Sequence, residues 1–138
     1  MVARSPERYR FVMQSSSTMR VGLGVLVAAL GVVLVFSPGW VRDTFARPAE
    51  TIGQKINLRA TFGGAIAGLG GWVIHASALR PVGVLVAKGL LWLMSAIAAA
   101  RVVGFVLDGQ PDGLQWTWLV AEVLIAGGAI FYLRRRAL

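Results

Sequence analysis

The chain contains no cysteine and a single histidine, His75. The absence of cysteine excludes disulfides, thiolate nucleophiles and zinc sites with cysteine ligands. One histidine without cysteine or carboxylate neighbours does not provide the several ligands that a metal site needs. It also leaves no nucleophile–base pair, and none of the common hydrolase, metalloprotease or phosphate-loop motifs occurs. We therefore predict a protein that is not an enzyme and that has no metal site and no cofactor.

Charged residues are also scarce. They make up 14% of the 138 residues, whereas 57% are hydrophobic, and a soluble domain has about 25% charged residues. A polytopic membrane protein made of one domain explains this composition most simply. The formal net charge of +8 would suit nucleic-acid binding, but the lysines and arginines lie at the ends of apolar runs, as membrane topology requires. We therefore expect a lipid bilayer and no nucleic acid as the partner of this chain.

Four apolar runs predict an all-α integral membrane protein, a four-transmembrane-helix bundle. The predicted membrane domain covers residues 20–136, with spans at about 20–37, 59–79, 82–107 and 114–133.

The segments outside the spans predict the topology. Residues 1–19 are basic and then rich in serine and threonine, which predicts a cytoplasmic tail, either disordered or a short helix on anionic lipid. Residues 38–58 have a loosely amphipathic pattern, broken at Pro48, which predicts short interfacial helices in the first loop. Four spans put both termini on one side, which then holds nine of the 14 lysines and arginines. Both termini are therefore predicted to be cytoplasmic.

Most of the 17 glycines lie inside the apolar runs. Small residues at four-residue spacing let membrane helices approach closely. We predict that the small residues of the second and third spans form helix-packing faces, which contain Gly64, Gly68, Gly71, Ala96, Ala100 and Gly104.

Four ionisable residues lie within or beside these apolar runs, where a membrane makes charge costly. They are Arg59, Arg101, Asp108 and Glu122. If the helices fold back about short turns at residues 80–81 and 110–111, Arg59 lies at the depth of Arg101, and Arg101 lies at the depth of Glu122. Asp108 shares a helix face with Arg101 because seven residues make two turns. The four side chains are therefore predicted to converge in the non-cytoplasmic half of the membrane.

This cluster has two interpretations. It forms a small polar pocket, open to the outer leaflet, in which Arg59 and Arg101 hold an anionic head group. Alternatively, it is a structural network of ion pairs that locks the helices together, because buried charges must be paired whether or not a ligand binds.

Several short motifs, taken in order, resemble those of a known family. They are Asn57-x-Arg59, Gly63-Gly64 with Gly68, Arg101, Asp108-Gly109 with Pro111, and Glu122. Over about residues 20–136 the chain resembles the bacterial four-span family catalogued as domain of unknown function 4345. The resemblance implies a small multi-pass protein of the bacterial cytoplasmic (inner) membrane with no assigned activity. It also adds Asn57 to the candidate site.

Two functional hypotheses follow. The first is a non-enzymatic accessory or interaction subunit, which associates with other membrane protein subunits or with itself. The second is a binder or carrier of a small amphipathic ligand, a lipid or a quinone-like molecule, in a polar pocket in the outer half of helices 2–4. A membrane-embedded enzyme is a third class, for which no catalytic motif is present.

Overall fold

The computed structural model describes residues 6–76 and 81–137, with side chains for residues 17–76 and 81–136. This part of the chain is helical and contains no strand. The elements are α1 (Pro6–Phe36), α2 (Pro38–Phe45), α3 (Ile52–Leu58), a π-helical segment (Arg59–Gly64), α4 (Ala65–His75), α5 (Val82–Asp108) and α6 (Gly113–Ala137).

Three helices are long and apolar enough to cross a membrane. The apolar stretches are Ser17–Phe36 of α1, Val82–Asp108 of α5 and Gly113–Arg136 of α6. The chain is therefore an all-helical protein with at least three helices suited to a bilayer, among the residues that the structure describes.

The largest differences from the sequence-based boundaries are at the starts of the first two helical stretches. Helix α1 starts at Pro6, so the described part of the predicted tail is helical and continuous with the first apolar run; residues 1–5 lie outside the described residues. The predicted span at 59–79 starts earlier, because α3, the π-helical segment and α4 form one uninterrupted stretch from Ile52 to His75, here called the α3–α4 stretch. Only α2 is therefore a separate short helix in the first loop. Residues 77–80, which include Arg80 of the predicted turn at 80–81, lie outside the described residues.

Local sequence signals explain where these elements begin. Pro38 has no backbone N–H to continue α1 and stands at the start of α2, where a helix needs none. Thr51 and Gln54 form a capping box at the start of α3, with Gln54 N donating to Thr51 Oγ1 at 3.2 Å. Asp112 caps α6 in the same way, since its Oδ1 accepts the N–H of Gln115 at 2.9 Å.

The four long helical stretches lie side by side in chain order, α1, α3–α4, α5 and α6, and each packs on the next. Consecutive stretches are antiparallel: Gly64 lies against Ile97 and Gly68 lies against Leu93, while Gly31 lies against Ala67 on the other side. Within the described residues, α1 and α6 have no comparable contact with each other. The arrangement is therefore a row of helices with two open faces, not a closed bundle.

Glycines bring the two central stretches into backbone contact. A Cβ on Gly64 would lie 2.7 Å from Ile97 Cα, and one on Gly68 would lie 2.7 Å from Leu93 Cα. The small residues singled out in the sequence lie in these contacts: Gly64 against Ala96 and Ala100, Gly68 against Ala96, Gly71 against Trp92, and Gly104 against Ile56. Because no side chain separates the backbones there, the polar residues further along the same helices come within reach of one another.

Candidate functional site

Arg59 is the first residue of the π-helical segment and is only 7% exposed. It forms a bidentate ion pair with Asp108 at the end of α5, with Nε 2.6 Å from Oδ2 and Nη2 2.9 Å from Oδ1. Its Nη1 donates to the carbonyl oxygen of Val35. That carbonyl belongs to the last turn of α1, where carbonyls have no partner within the helix. Arg59 thus ties the end of α1 and the end of α5 to the π-helical segment.

Arg101, two turns before the end of α5, is 4% exposed and pairs with Glu122 of α6, which is 6% exposed. Arg101 Nη2 lies 2.6 Å from Glu122 Oε1, and Nε lies 3.1 and 3.2 Å from the two carboxylate oxygens. Nη1 donates to Asn57 Oδ1 at 3.0 Å and to Gln115 Oε1. All three guanidinium nitrogens are therefore used, and α3, α5 and α6 are joined at one side chain.

Gln115 is a member of this network that the candidate residues predicted from the sequence did not include. It is only 2% exposed, and besides accepting from Arg101 it donates through Nε2 to the carbonyl of Gly53 at 3.3 Å. The sequence held a signal for it, because Gln115 lies seven residues before Glu122 and shares its helix face. A neutral amide attracts less notice than a charge, although its burial also costs free energy unless it is hydrogen-bonded.

The predicted four-residue cluster is two separate ion pairs. Arg101 and Asp108 are seven residues apart on α5, which places the two pairs about 10 Å apart along the helix. Each arginine has its own carboxylate, so charge is balanced locally at each pair. The structure therefore brings Asn57, Arg101 and Glu122 together and places Arg59 with Asp108 in another contact.

An open cleft of about 320 Å³ lies beside the second pair and is here called the central cleft. It is bounded by three of the helical stretches, α3–α4, α5 and α6. It is lined by Asn57, Thr61, Ala65, Ile97, Arg101, Trp118 and Glu122. Arg59 and Asp108 do not line it. The cleft therefore has a polar end, at the Arg101–Glu122 pair, and an apolar end, at Ala65 and Ile97.

The remaining ionisable groups near the helix ends do not enter this cleft. The hydrogen bond from Arg42, whose Nε lies 2.6 Å from Asp43 Oδ1, lowers the pKa of that carboxyl from its usual value.

His75 stacks on Trp92 with 4.9 Å between ring centroids, and its Nδ1 lies 3.0 Å from the carbonyl oxygen of Gly71. Among the described residues, no group of three or more His, Cys, Asp or Glu could hold a metal ion.

Comparisons with known proteins give one match. A family model described as "Domain of unknown function (DUF4345)" matches residues 18–133, which confirms the resemblance inferred from the sequence motifs. No curated protein and no solved structure matches the chain.

Proposed function

The chain belongs to the DUF4345 family, whose description assigns no activity, and on this premise we propose that it is a four-span membrane protein that binds a small amphipathic molecule in the central cleft. The observation that carries the proposal is the position of the buried Arg101–Glu122 pair on the wall of an open cleft of about 320 Å³. A purely structural ion pair needs no such space beside it.

Besides the three long apolar helices, the α3–α4 stretch is the proposed additional crossing. Its length supports this, because a helix from Ile52 to His75 extends roughly 35 Å, enough for a bilayer core of about 30 Å. Its position between α1 and α5, antiparallel to both, also supports a crossing. The π-helical segment divides it, so no single α-helix in it has the usual length of a span. With four crossings, the lysine and arginine distribution places both termini in the cytoplasm, and the family resemblance points to a bacterial inner membrane.

The walls of the cleft define the ligand class. The charge of Arg101 is neutralised by Glu122, so the pair offers little to a ligand with a net charge and favours a head group that is polar but uncharged. The Thr61 hydroxyl and the Asn57 amide nitrogen are available to hydrogen-bond such a head group. Ala65 and Ile97 then contact an apolar body. A quinone-like molecule or a neutral lipid has this chemistry.

The proposal is for binding and not for catalysis. Acyl or group transfer needs a nucleophile activated by a nearby base, and the chain has no cysteine and one histidine. That histidine, His75, stacks on Trp92 away from the residues that line the central cleft.

A cavity-filling substitution tests the location. Ala65→Phe places a ring in the apolar end of the central cleft and leaves the ion pair untouched. Ala99→Phe is the matched control, because Ala99 is exposed on α5 and lies on the face opposite Ile97. We expect the wild type and Ala99→Phe to co-purify with the same small molecule and Ala65→Phe to lose it, as measured by mass spectrometry of extracted ligands. Equal ligand content in the two variants would contradict the proposal.

The accessory-subunit hypothesis is the second candidate, and one observation favours it. Gly127 and Gly128 lie within α6, and a Cβ built on either would meet nothing within 4 Å. Such a small-residue surface lets another helix approach closely. Gly128→Leu is expected to leave the fold intact and to weaken association with a second copy or another subunit, measured by cross-linking in membranes. Unchanged association would contradict a role of this α6 surface in the contact between subunits.

A further inference from the structure

A second cleft, of about 380 Å³, lies beside the loop between α2 and α3 and is here called the Arg47 cleft. It is lined by Arg47, Pro48, Gln54, Asn57, Leu58, Thr61 and Phe62. It shares Asn57 and Thr61 with the central cleft but contains neither Arg101 nor Glu122. It lies at the end of the helix row where α1 and α5 end, so a bilayer around the row places it near the head-group region.

Two side-chain amide nitrogens of this cleft have no hydrogen-bond partner among the residues that the structure describes, so they are free to donate to a ligand. Gln54 Oε1 accepts the backbone N–H groups of Glu50 and Thr51 at 2.9 and 3.1 Å, so its amide nitrogen is left over. Asn57 Oδ1 accepts from Arg101 at 3.0 Å, so the amide nitrogen of Asn57 is likewise left over. Because an arginine and two backbone N–H groups can only donate, these contacts fix which atom of each amide is oxygen.

Arg47 adds the charge. It is exposed, and within the described residues its side chain forms no ion pair or hydrogen bond, whereas Arg42, five residues earlier, is held by Asp43 at 2.6 Å. No carboxylate lines the cleft. A free guanidinium beside two amide N–H₂ groups and the Thr61 hydroxyl attracts a ligand rich in acceptor oxygens and negative in charge.

The apolar part of the cleft is an aromatic wall. Phe62 stacks on Phe45 with 5.2 Å between ring centroids, and Leu58 and Pro48 complete the surface. An anion with an apolar portion therefore fits this cleft better than a small hydrated ion.

We propose that the Arg47 cleft binds a phosphate group, with Arg47 as its counter-charge and the amide nitrogens of Gln54 and Asn57 as further donors. The group belongs either to an anionic phospholipid or to a free phosphate compound, and both present the same oxygens to the cleft. This site shares Asn57 and Thr61 with the central cleft, but Arg47 and Gln54 line the Arg47 cleft and not the central one.

The test uses the full chain in phosphatidylcholine nanodiscs and measures the thermal unfolding midpoint. Phosphatidylglycerol in the disc, or inorganic phosphate in solution, is the probe, since a ligand that binds only the folded state raises the midpoint. The test variant is Arg47→Gln, because the Arg47 side chain has no partner among the described residues that the substitution would remove. Arg42→Gln is the matched control, with the same loss of charge outside the cleft. We expect Arg47→Gln to weaken phosphate-group binding about tenfold, as the loss of a charged hydrogen bond implies.

The two sources give different results. A response to phosphatidylglycerol in the wild type and Arg42→Gln but not in Arg47→Gln supports the site with a lipid ligand. The same pattern with inorganic phosphate supports it with a free phosphate compound. No response of the wild type to either probe, or equal responses of the two variants, would overturn the proposal. Ala65→Phe, which fills only the central cleft, is expected to keep the response, so failure of one site is distinguishable from failure of the other.

Discussion

Arg101 on α5 and Glu122 on α6 form an ion pair in which both residues are less than one-tenth exposed, with Nη2 2.6 Å from Oε1. Asn57 and Gln115 accept the remaining guanidinium hydrogen bonds. Since a charge within a membrane span is costly unless paired, these contacts are what allow a buried arginine within α5. The same pair forms the polar end of the central cleft.

The first prediction concerns the coupling within this pair. Arg101→Leu leaves Glu122 buried without its partner and is expected to lower the free energy of unfolding by roughly 3–5 kcal/mol. The double variant Arg101→Leu/Glu122→Leu removes both charges and is expected to cost much less than the sum of the single changes. Equilibrium unfolding in mixed micelles of the wild type, Arg101→Leu, Glu122→Leu and the double variant completes a double-mutant cycle. Additive effects would mean that the two charges are not coupled.

The second prediction separates the geometry of Arg59 from its charge. Arg59→Lys keeps the positive charge but cannot make both bonds to Asp108 and a third to the Val35 carbonyl. Because a hydrogen bond to a charged group contributes about 1.5–3 kcal/mol, we expect a loss of at least that size in the free energy of unfolding. Arg134→Lys, at an exposed position near the end of α6, is the control and is expected to change nothing. Equal stability of the two variants would contradict the role of Arg59 in tying the ends of α1 and α5 to the π-helical segment.

The third prediction concerns the close backbone contacts. A Cβ on Gly70 would lie 2.3 Å from the backbone nitrogen of Ala28, so Gly70→Ala forces α1 and α4 apart. Overpacking of this kind typically costs about 1–3 kcal/mol. Gly128→Ala is the control, because a Cβ there meets nothing within 4 Å. The thermal unfolding midpoint is expected to fall for Gly70→Ala and to hold or rise for Gly128→Ala, and the reverse order would be incompatible with the packing described above.

The fourth prediction tests the number of crossings. The chain has no cysteine, so single variants Thr44→Cys and Gln110→Cys can each be labelled with an impermeant maleimide in intact cells. If the α3–α4 stretch crosses the membrane, the two loops lie on the same outer side and both variants are labelled. If it does not cross, only the first is labelled. The second pattern would reduce the protein to three spans.

The register of the helices could be predicted from the sequence, whereas some partners could not. Folding about residues 80–81 predicted Arg59 at the depth of Arg101, and the observed contacts of Gly64 with Ile97 and Gly68 with Leu93 place Arg59 opposite residue 102, one residue away. The connection between α5 and α6 is short, residues 109–112, so the depth of Arg101 relative to Glu122 could be predicted by the same folding.

The choice of partner depends on features that spacing does not encode. Arg59 lies at the depth of Arg101, yet its long side chain pairs with Asp108 at the end of α5. The π-helical segment that begins at Arg59 changes the direction of side chains along the stretch, and no sequence signal indicated it. The continuity of α3 with the π-helical segment and α4 was not predicted either, because residues 38–58 were assigned to short interfacial helices outside the spans.

The central claim is that one small amphipathic molecule occupies the central cleft, and native mass spectrometry of the wild-type protein from native nanodiscs tests it most directly. The chain is expected to carry one defined small molecule that stays bound when the surrounding lipid is stripped. A bare chain, or a chain with a stoichiometric protein partner and no small molecule, would contradict the claim.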